Sequence, residues 1–134
     1  MTGRALGLAT SQSVGETINI PYVATTVTQA VYIATQPMLV TGIAGRQRVN
    51  GGSGATIKFY KAPSGTAAAS GTQLDSGAGF DASSGGTADA NQTIGLSTVG
   101  GALQLAVGDS VNIVISGTMT SAVGVVQVFV EPLT

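Results

Sequence analysis

Apolar and polar residues alternate with a period of two along much of the chain, and that pattern predicts strands rather than helices. From Val27 to Ile33 the alternation puts Val27, Val31 and Ile33 on one face. Met38 to Val49 is a longer extended stretch, and its glycines predict a bend near Gly42 or Gly45. Between Ala55 and Lys61, Ile57 and Phe59 point inward and Lys58 outward. Two strong strands close the chain. Ser110 to Ser116 aligns Val111, Ile113 and Ile115, and Val123 to Glu131 aligns Val126, Val128 and Val130. No window combines helix formers with a spacing of three and four, because Gly or β-branched residues interrupt every candidate.

The punctuation agrees with this reading. Asn50-Gly51-Gly52-Ser53-Gly54 is rich in residues that tolerate positive φ, which predicts a hairpin between its flanking strands. Gly117 to Ala122 has hairpin length as well. The middle, Ala62 to Asn91, is rich in Gly, Ser and Ala, and its only large apolar residues are Leu74 and Phe80. It predicts loops around one or two short strands, pinned by those two side chains. Thr93 to Ser97 and Leu103 to Leu105 are further short strands, and Val107-Gly108-Asp109 is a turn. Short strands separated by regular turns imply an all-β fold, an antiparallel β-sandwich or barrel. The length of 134 residues fits one domain. We divide it into an N-terminal arm or edge segment, 1–25, and a β-sandwich domain, 26–134.

The last strand is apolar on both faces, since Val125 and Phe129 lie opposite the Val126 set. A sheet whose outer face meets water should be polar there. Local cover, or a tolerated surface pair, is one explanation; a subunit contact through Val125 and Phe129 is the other. Arg46 and Arg48 are two apart, so on a strand they point the same way. They form either a solvated face or a contact to an acidic partner surface.

Composition narrows the function. Only 8% of residues are charged, far below the roughly 25% of ordinary soluble domains. Such a surface repels little, which suits a protein that lives in an assembly. The net charge of −1 comes from five scattered cations against six acids. That excludes the basic surface a nucleic-acid binder needs and a polybasic membrane anchor. No apolar run reaches membrane-helix length, and the start lacks a signal peptide's apolar stretch. The expectation is a soluble protein made in the cytoplasm without an export signal.

Candidate chemistry is sparse. The chain has no His and no Cys, which removes His-based triads, thiol nucleophiles, disulfides and the usual zinc ligands. The six acids show no paired-carboxylate motif. The expectation is no enzyme, no cofactor and no small-molecule substrate. Asp75, Asp81 and Asp89 fall in the Gly/Ser-rich middle, where carboxylates suit calcium, but their spacing matches no loop motif and solvated turns are the simpler reading. Whether those loops bind calcium stays open. Gly51 to Thr56 lacks the Lys and following helix of a phosphate cradle. Asn91-Gln92-Thr93 matches a glycosylation acceptor, a chance match without an export signal.

The order of these pieces is itself informative. Thr/Val-rich strands lead to Lys58-Phe59-Tyr60-Lys61-Ala62-Pro63-Ser64-Gly65-Thr66, then to Phe80-Asp81 and Gly86-Thr87-Ala88-Asp89. Leu103-Gln104-Leu105-Ala106-Val107-Gly108-Asp109-Ser110-Val111 follows, and the chain closes on Val128-Phe129-Val130-Glu131-Pro132-Leu133. From about Val27 onward the chain resembles the capsid decoration, or cement, proteins of tailed bacteriophages. The resemblance implies a jelly-roll-like β-sandwich, usually a homotrimer, on the outer surface of the virion. There it clamps neighbouring subunits of the major capsid protein. The capsid contact in such proteins is often an extended terminal arm, a role that Thr2 to Ile20 fits; Arg46 and Arg48 are the candidate contacts on the domain. The alternative is a head-fibre or tail-associated recognition module binding a host surface glycan. Such surfaces present exposed aromatics, whereas this chain has no Trp and its three Tyr form no sequence cluster.

Overall fold

The computed structural model describes residues 15–133. They form strands β1 (Glu16–Val23), β2 (Gln29–Ile33), β3 (Met38–Val49), β4 (Thr56–Ala62), β5 (Thr72–Gln73), β6 (Phe80–Asp81), β7 (Asn91–Ile94), β8 (Gln104–Leu105), β9 (Ser110–Ser116) and β10 (Val123–Pro132). A single 3-10 turn, Ala68–Ser70, is the only helical element among the described residues.

The strands make two antiparallel sheets. One runs β1-β10-β3-β7, with β8 also on β3; the other runs β2-β9-β4-β5, with β6 also on β4. The order is that of a ribbon folded back on itself. β1 pairs with β10, β2 with β9, β3 with β7 and β8, and β4 with β5 and β6. Wrapped into two layers, such a ribbon is the double Greek key of a jelly roll.

The core between the layers follows the predicted alternation. Val126, Val128 and Val130 of β10 meet Ile57 and Phe59 of β4 and Val111 and Ile113 of β9 in one buried cluster. Leu74 and Phe80 are fully buried and pin the Gly/Ser-rich middle, as their isolation in that segment predicts. Phe80 also ties the layers together. Its ring lies against Gly45 of β3, where an added Cβ would stand 2.5 Å from Cε1. It also meets Tyr22 of β1 edge-on, with centroids 5.8 Å apart and planes at 67°. A side chain at position 45 would wedge the layers apart.

The bend predicted in β3 is real. Its pairing with β10 slips between Phe129 and Val130, where Thr41 is the extra residue, and again at Arg48. Each is a β-bulge, which shifts the phase of alternation. Met38 and Val40 face in before the first bulge, and Ile43, Gly45 and Gln47 face in after it.

Three expectations need correction. β3 and β4 are not a hairpin, because they lie in different sheets and Asn50–Gly54 crosses between them. Gly117–Ala122 likewise carries β9 over to β10 in the other sheet. Local turn chemistry makes the reversal possible, but the partner of each strand is set by the whole ribbon. The two connections bond to each other instead: Gly52 N–H donates to Thr118 O, and Thr118 N–H to Ser53 O. Val27, Val31 and Ile33 do not form one strand face: Val27 precedes β2, and Val27 and Ile33 are exposed while Val31 is half-buried. A bulge at Val31 changes the phase, so Tyr32 pairs with Val111 and turns toward the core.

Of the segment expected as arm or edge, Glu16–Val23 is β1, the edge strand of its sheet, paired along its whole length with β10. Residues 1–14 lie outside the described residues. Pro21 offers this edge no N–H, and Thr26 takes up both groups of Val23. The Thr26 hydroxyl accepts from Val23 N–H at 2.8 Å, and Thr26 N–H donates to Val23 O.

Tyr22 is buried and its hydroxyl has no hydrogen-bond partner. Burial, with a smaller push from the Asp81 charge, raises its pKa from 10.0 to about 12. A group whose folded pKa lies above its unfolded one gives stability that is present below pH 10 and lost as pH climbs toward 12. In denaturant titrations, wild type should therefore lose stability relative to Tyr22→Phe across that window. Near neutrality the two should differ by less than about 1 kcal/mol, since the hydroxyl makes no bond to lose. Parallel pH curves would contradict this.

Candidate interaction face

The residues singled out for contact come together on one surface. β10 and β3 are neighbours, with Val125 opposite Arg46 and Phe129 opposite Gly42. On β10 the inward set is Val126, Val128 and Val130, so Val123, Val125, Gln127, Phe129 and Glu131 project from the outer side. Arg46 and Arg48 share that side, and with Asp89, Val123, Gly124 and Val125 they line a shallow open hollow of about 410 Å³.

Val125 and Phe129 are half-buried. Phe129 has a local bed: its ring covers Gly42, where an added Cβ would lie 2.9 Å from Cδ2. Local cover therefore accounts for part of the apolar outer side. It does not account for the rest. Val23, Val123 and Val49 stand in register across β1, β10 and β3 and are 49%, 36% and 41% exposed. Pro21, beside Val125, is exposed too. The result is an apolar patch of Val23, Pro21, Val123, Val125 and Val49 beside two arginines, separated from Phe129 by Gln127, whose Nε2 donates to Asn19 Oδ1 at 2.6 Å.

Sequence reading missed Val23 and Val49 as members of this patch. Their neighbourhood is created by register across three strands distant in sequence, which no local pattern carries. Val123 was legible, because it has the same parity as Val125 and Phe129.

The electrostatics are open. Arg46 and Asp89 form an ion pair at 3.9 Å, with side chains 53% and 66% exposed. A pair so exposed is worth little. Arg48 makes no ion pair among the described residues. Arg48 thus stands beside the patch without an acidic partner among the described residues, and Arg46 is held only by a weak, exposed pair. Arginine beside exposed apolar side chains is a combination favoured at protein interfaces.

The opposite sheet differs. Asn112 and Ala62, on the outer side of β9 and β4, are buried where the 3-10 turn packs over those strands. Asn112 bonds to Tyr60 O and to Ser110 at O and Oγ. Among the described residues, the chain covers one of its own sheets in part and leaves the patch on the other exposed.

The three aspartates do not meet. Asp75 is buried and accepts from Phe59 N–H at 2.9 Å, Gly77 N–H at 2.8 Å and Gln73 Nε2 at 2.7 Å. Asp81 accepts from Ser83 N–H at 2.9 Å, and Asp89 faces Arg46. Among the described residues no three acidic side chains converge. Asp75 is a structural tie that satisfies the β4 backbone.

No family model matches the chain, and no curated protein matches it. Among solved structures it is similar to a chain of the cyanophage Pam1 capsid asymmetric unit. That match has 14% identity, covers 90% of this chain and 84% of that one, and has a TM-score of 0.49. A second similarity is to a chain of the Bacillus endospore appendages described as disulfide-linked pili, at 14% identity, 90% and 88% coverage and a TM-score of 0.37. At these values neither likeness carries an argument about what the chain does.

Asp75→Ala strips a buried backbone N–H of its acceptor and should cost about 2–4 kcal/mol. Urea unfolding measures this directly. A loss under about 1 kcal/mol would mean that Asp75 does not tie the loop to β4.

Proposed function

We propose that the chain is a non-enzymatic virion structural protein: a decoration, or cement, protein on the outer surface of a phage capsid. It associates as a homotrimer and clamps neighbouring subunits of the major capsid protein. One observation carries the reading, the exposed apolar patch of Val23, Val49, Val123 and Val125 with Arg46 and Arg48 beside it and Phe129 beyond Gln127 on the same outer side. A two-layer domain whose described residues leave an apolar patch exposed on one sheet is suited to binding other proteins. Repetition over a symmetric shell lets modest contacts add up to firm attachment. The low charge allows many copies to crowd together without strong repulsion.

The glycan-recognition alternative has less to rest on. All six aromatic residues are buried or half-buried, so none offers an exposed stacking platform. Tyr32 donates to Glu16 Oε2 at 3.0 Å, and the Phe129 ring is laid over Gly42.

The test is co-sedimentation with expanded shells assembled from the major capsid protein of the same genome, alongside light scattering of the free protein. The expected results are saturable binding to shells, a higher shell melting temperature, and a solution mass of three chains. Val125→Asp should move the mass toward one chain while far-UV circular dichroism stays unchanged. No binding to shells, together with retention on a host-glycan array, would replace the cement reading with the recognition reading.

A further inference from the structure

The outer side carries opposite net charge toward its two ends: Arg48 and the exposed Arg46–Asp89 pair at one, Glu131 at the other. Arg46 pairs with Val125, near the start of β10, and Arg48 lies beyond it. Glu131 projects from the same side six residues further along β10, and it is exposed. At the rise of an extended strand, that is about 20 Å from the Arg46 level. Glu16 does not add to this end: it pairs with the inward Val130 and accepts from the Tyr32 hydroxyl on the inner face, so Glu131 alone carries the negative charge here. Val125, Gln127 and Phe129 fill the outer side between, with Gln127 bonded to Asn19 of β1. Among the described residues, Arg48 and Glu131 make no ion pair within their own chain.

We propose that the occupant of this outer side is a second copy of the chain, oriented so that the Arg46/Arg48 end of one copy meets the Glu131 end of the next. The reasoning is complementarity. Copies aligned with like ends together would place guanidinium groups against guanidinium groups, an arrangement that costs several kcal/mol. Reversing the direction pairs each positive end with a negative one and lets Val125 and Phe129 meet on either side of the Gln127–Asn19 pair. The proposal rests on the outer side being a self-association surface, as the cement reading holds, and it fixes the orientation. Around a three-fold axis the β10 strands run across the axis. Strands along the axis would gather three Arg46/Arg48 pairs at one point. It also reassigns Arg46 and Arg48 from the capsid to the neighbouring subunit.

The test is a charge swap, read by light scattering and sedimentation equilibrium at low and high salt. Arg46→Glu/Arg48→Glu, and separately Glu131→Arg, should each weaken association by at least about tenfold. The variant carrying all three changes should recover it, because the ends again have opposite sign. Salt should weaken wild type and the triple variant alike. Circular dichroism and thermal melts confirm that each variant is folded. Wild type that stays one chain at all concentrations overturns the proposal. So does association indifferent to single-end reversal, or a folded triple variant that fails to recover. Shell co-sedimentation of the reversed variants separates this result from the parent reading. Variants that bind shells while dissociated leave the cement reading standing, and a complementary pair that assembles but never binds shells removes it. Recovery at a mass of two chains keeps the orientation and discards the trimer.

Discussion

β10 lies between β1 and β3, paired with β1 over Glu16–Val23 and with β3 over Met38–Val49. A strand in that position has no free edge, so its side chains alone decide what each face of the sheet becomes. Val126, Val128 and Val130 close the interior, and burying three valines contributes on the order of several kcal/mol. Its register places Val23 and Val49 on either side of Val123, and Arg46 beside Val125. Displacing β10 by one residue would exchange its inner and outer sets and lose core and surface patch together.

The layers are locked from the other side by Phe80. It comes from a two-residue strand in a segment otherwise made of small residues, yet it reaches across to Gly45 and Tyr22. This explains how a middle section so poor in large side chains remains ordered. Leu74, Phe80 and the Asp75 carboxylate hold it at three points, and the Gly and Ser residues between them need only follow.

Much of this was legible in the chain, and the division is physical. β3, β4, β9 and β10 announced themselves because alternation is a local property, and the inward sets on β4 and β10 were read correctly from parity. The supposed hairpins failed because a Gly-rich reversal says that the chain turns, not which sheet receives it. Asn50–Gly54 and Gly117–Ala122 both reverse the chain, and each delivers it to the opposite layer. The reading of Val27 to Ile33 as one face failed because Val27 precedes β2 and because the extra residue at Val31 inverts the side chains after it. The candidate contacts were half legible. Parity marked Val125, Phe129, Arg46 and Arg48 as outward-facing, but only register revealed that they share one surface with Val23, Val49 and Glu131.

The edge formed by β1 carries a further consequence. With no N–H at Pro21 and Val23 occupied by Thr26, the later half of that strand offers little template for an incoming strand. A protein with so little charge has weak electrostatic defence against its neighbours. Here the defence is steric and directional: sheets cannot extend from molecule to molecule through this half of the edge, so accumulation at high local density need not become fibrous growth.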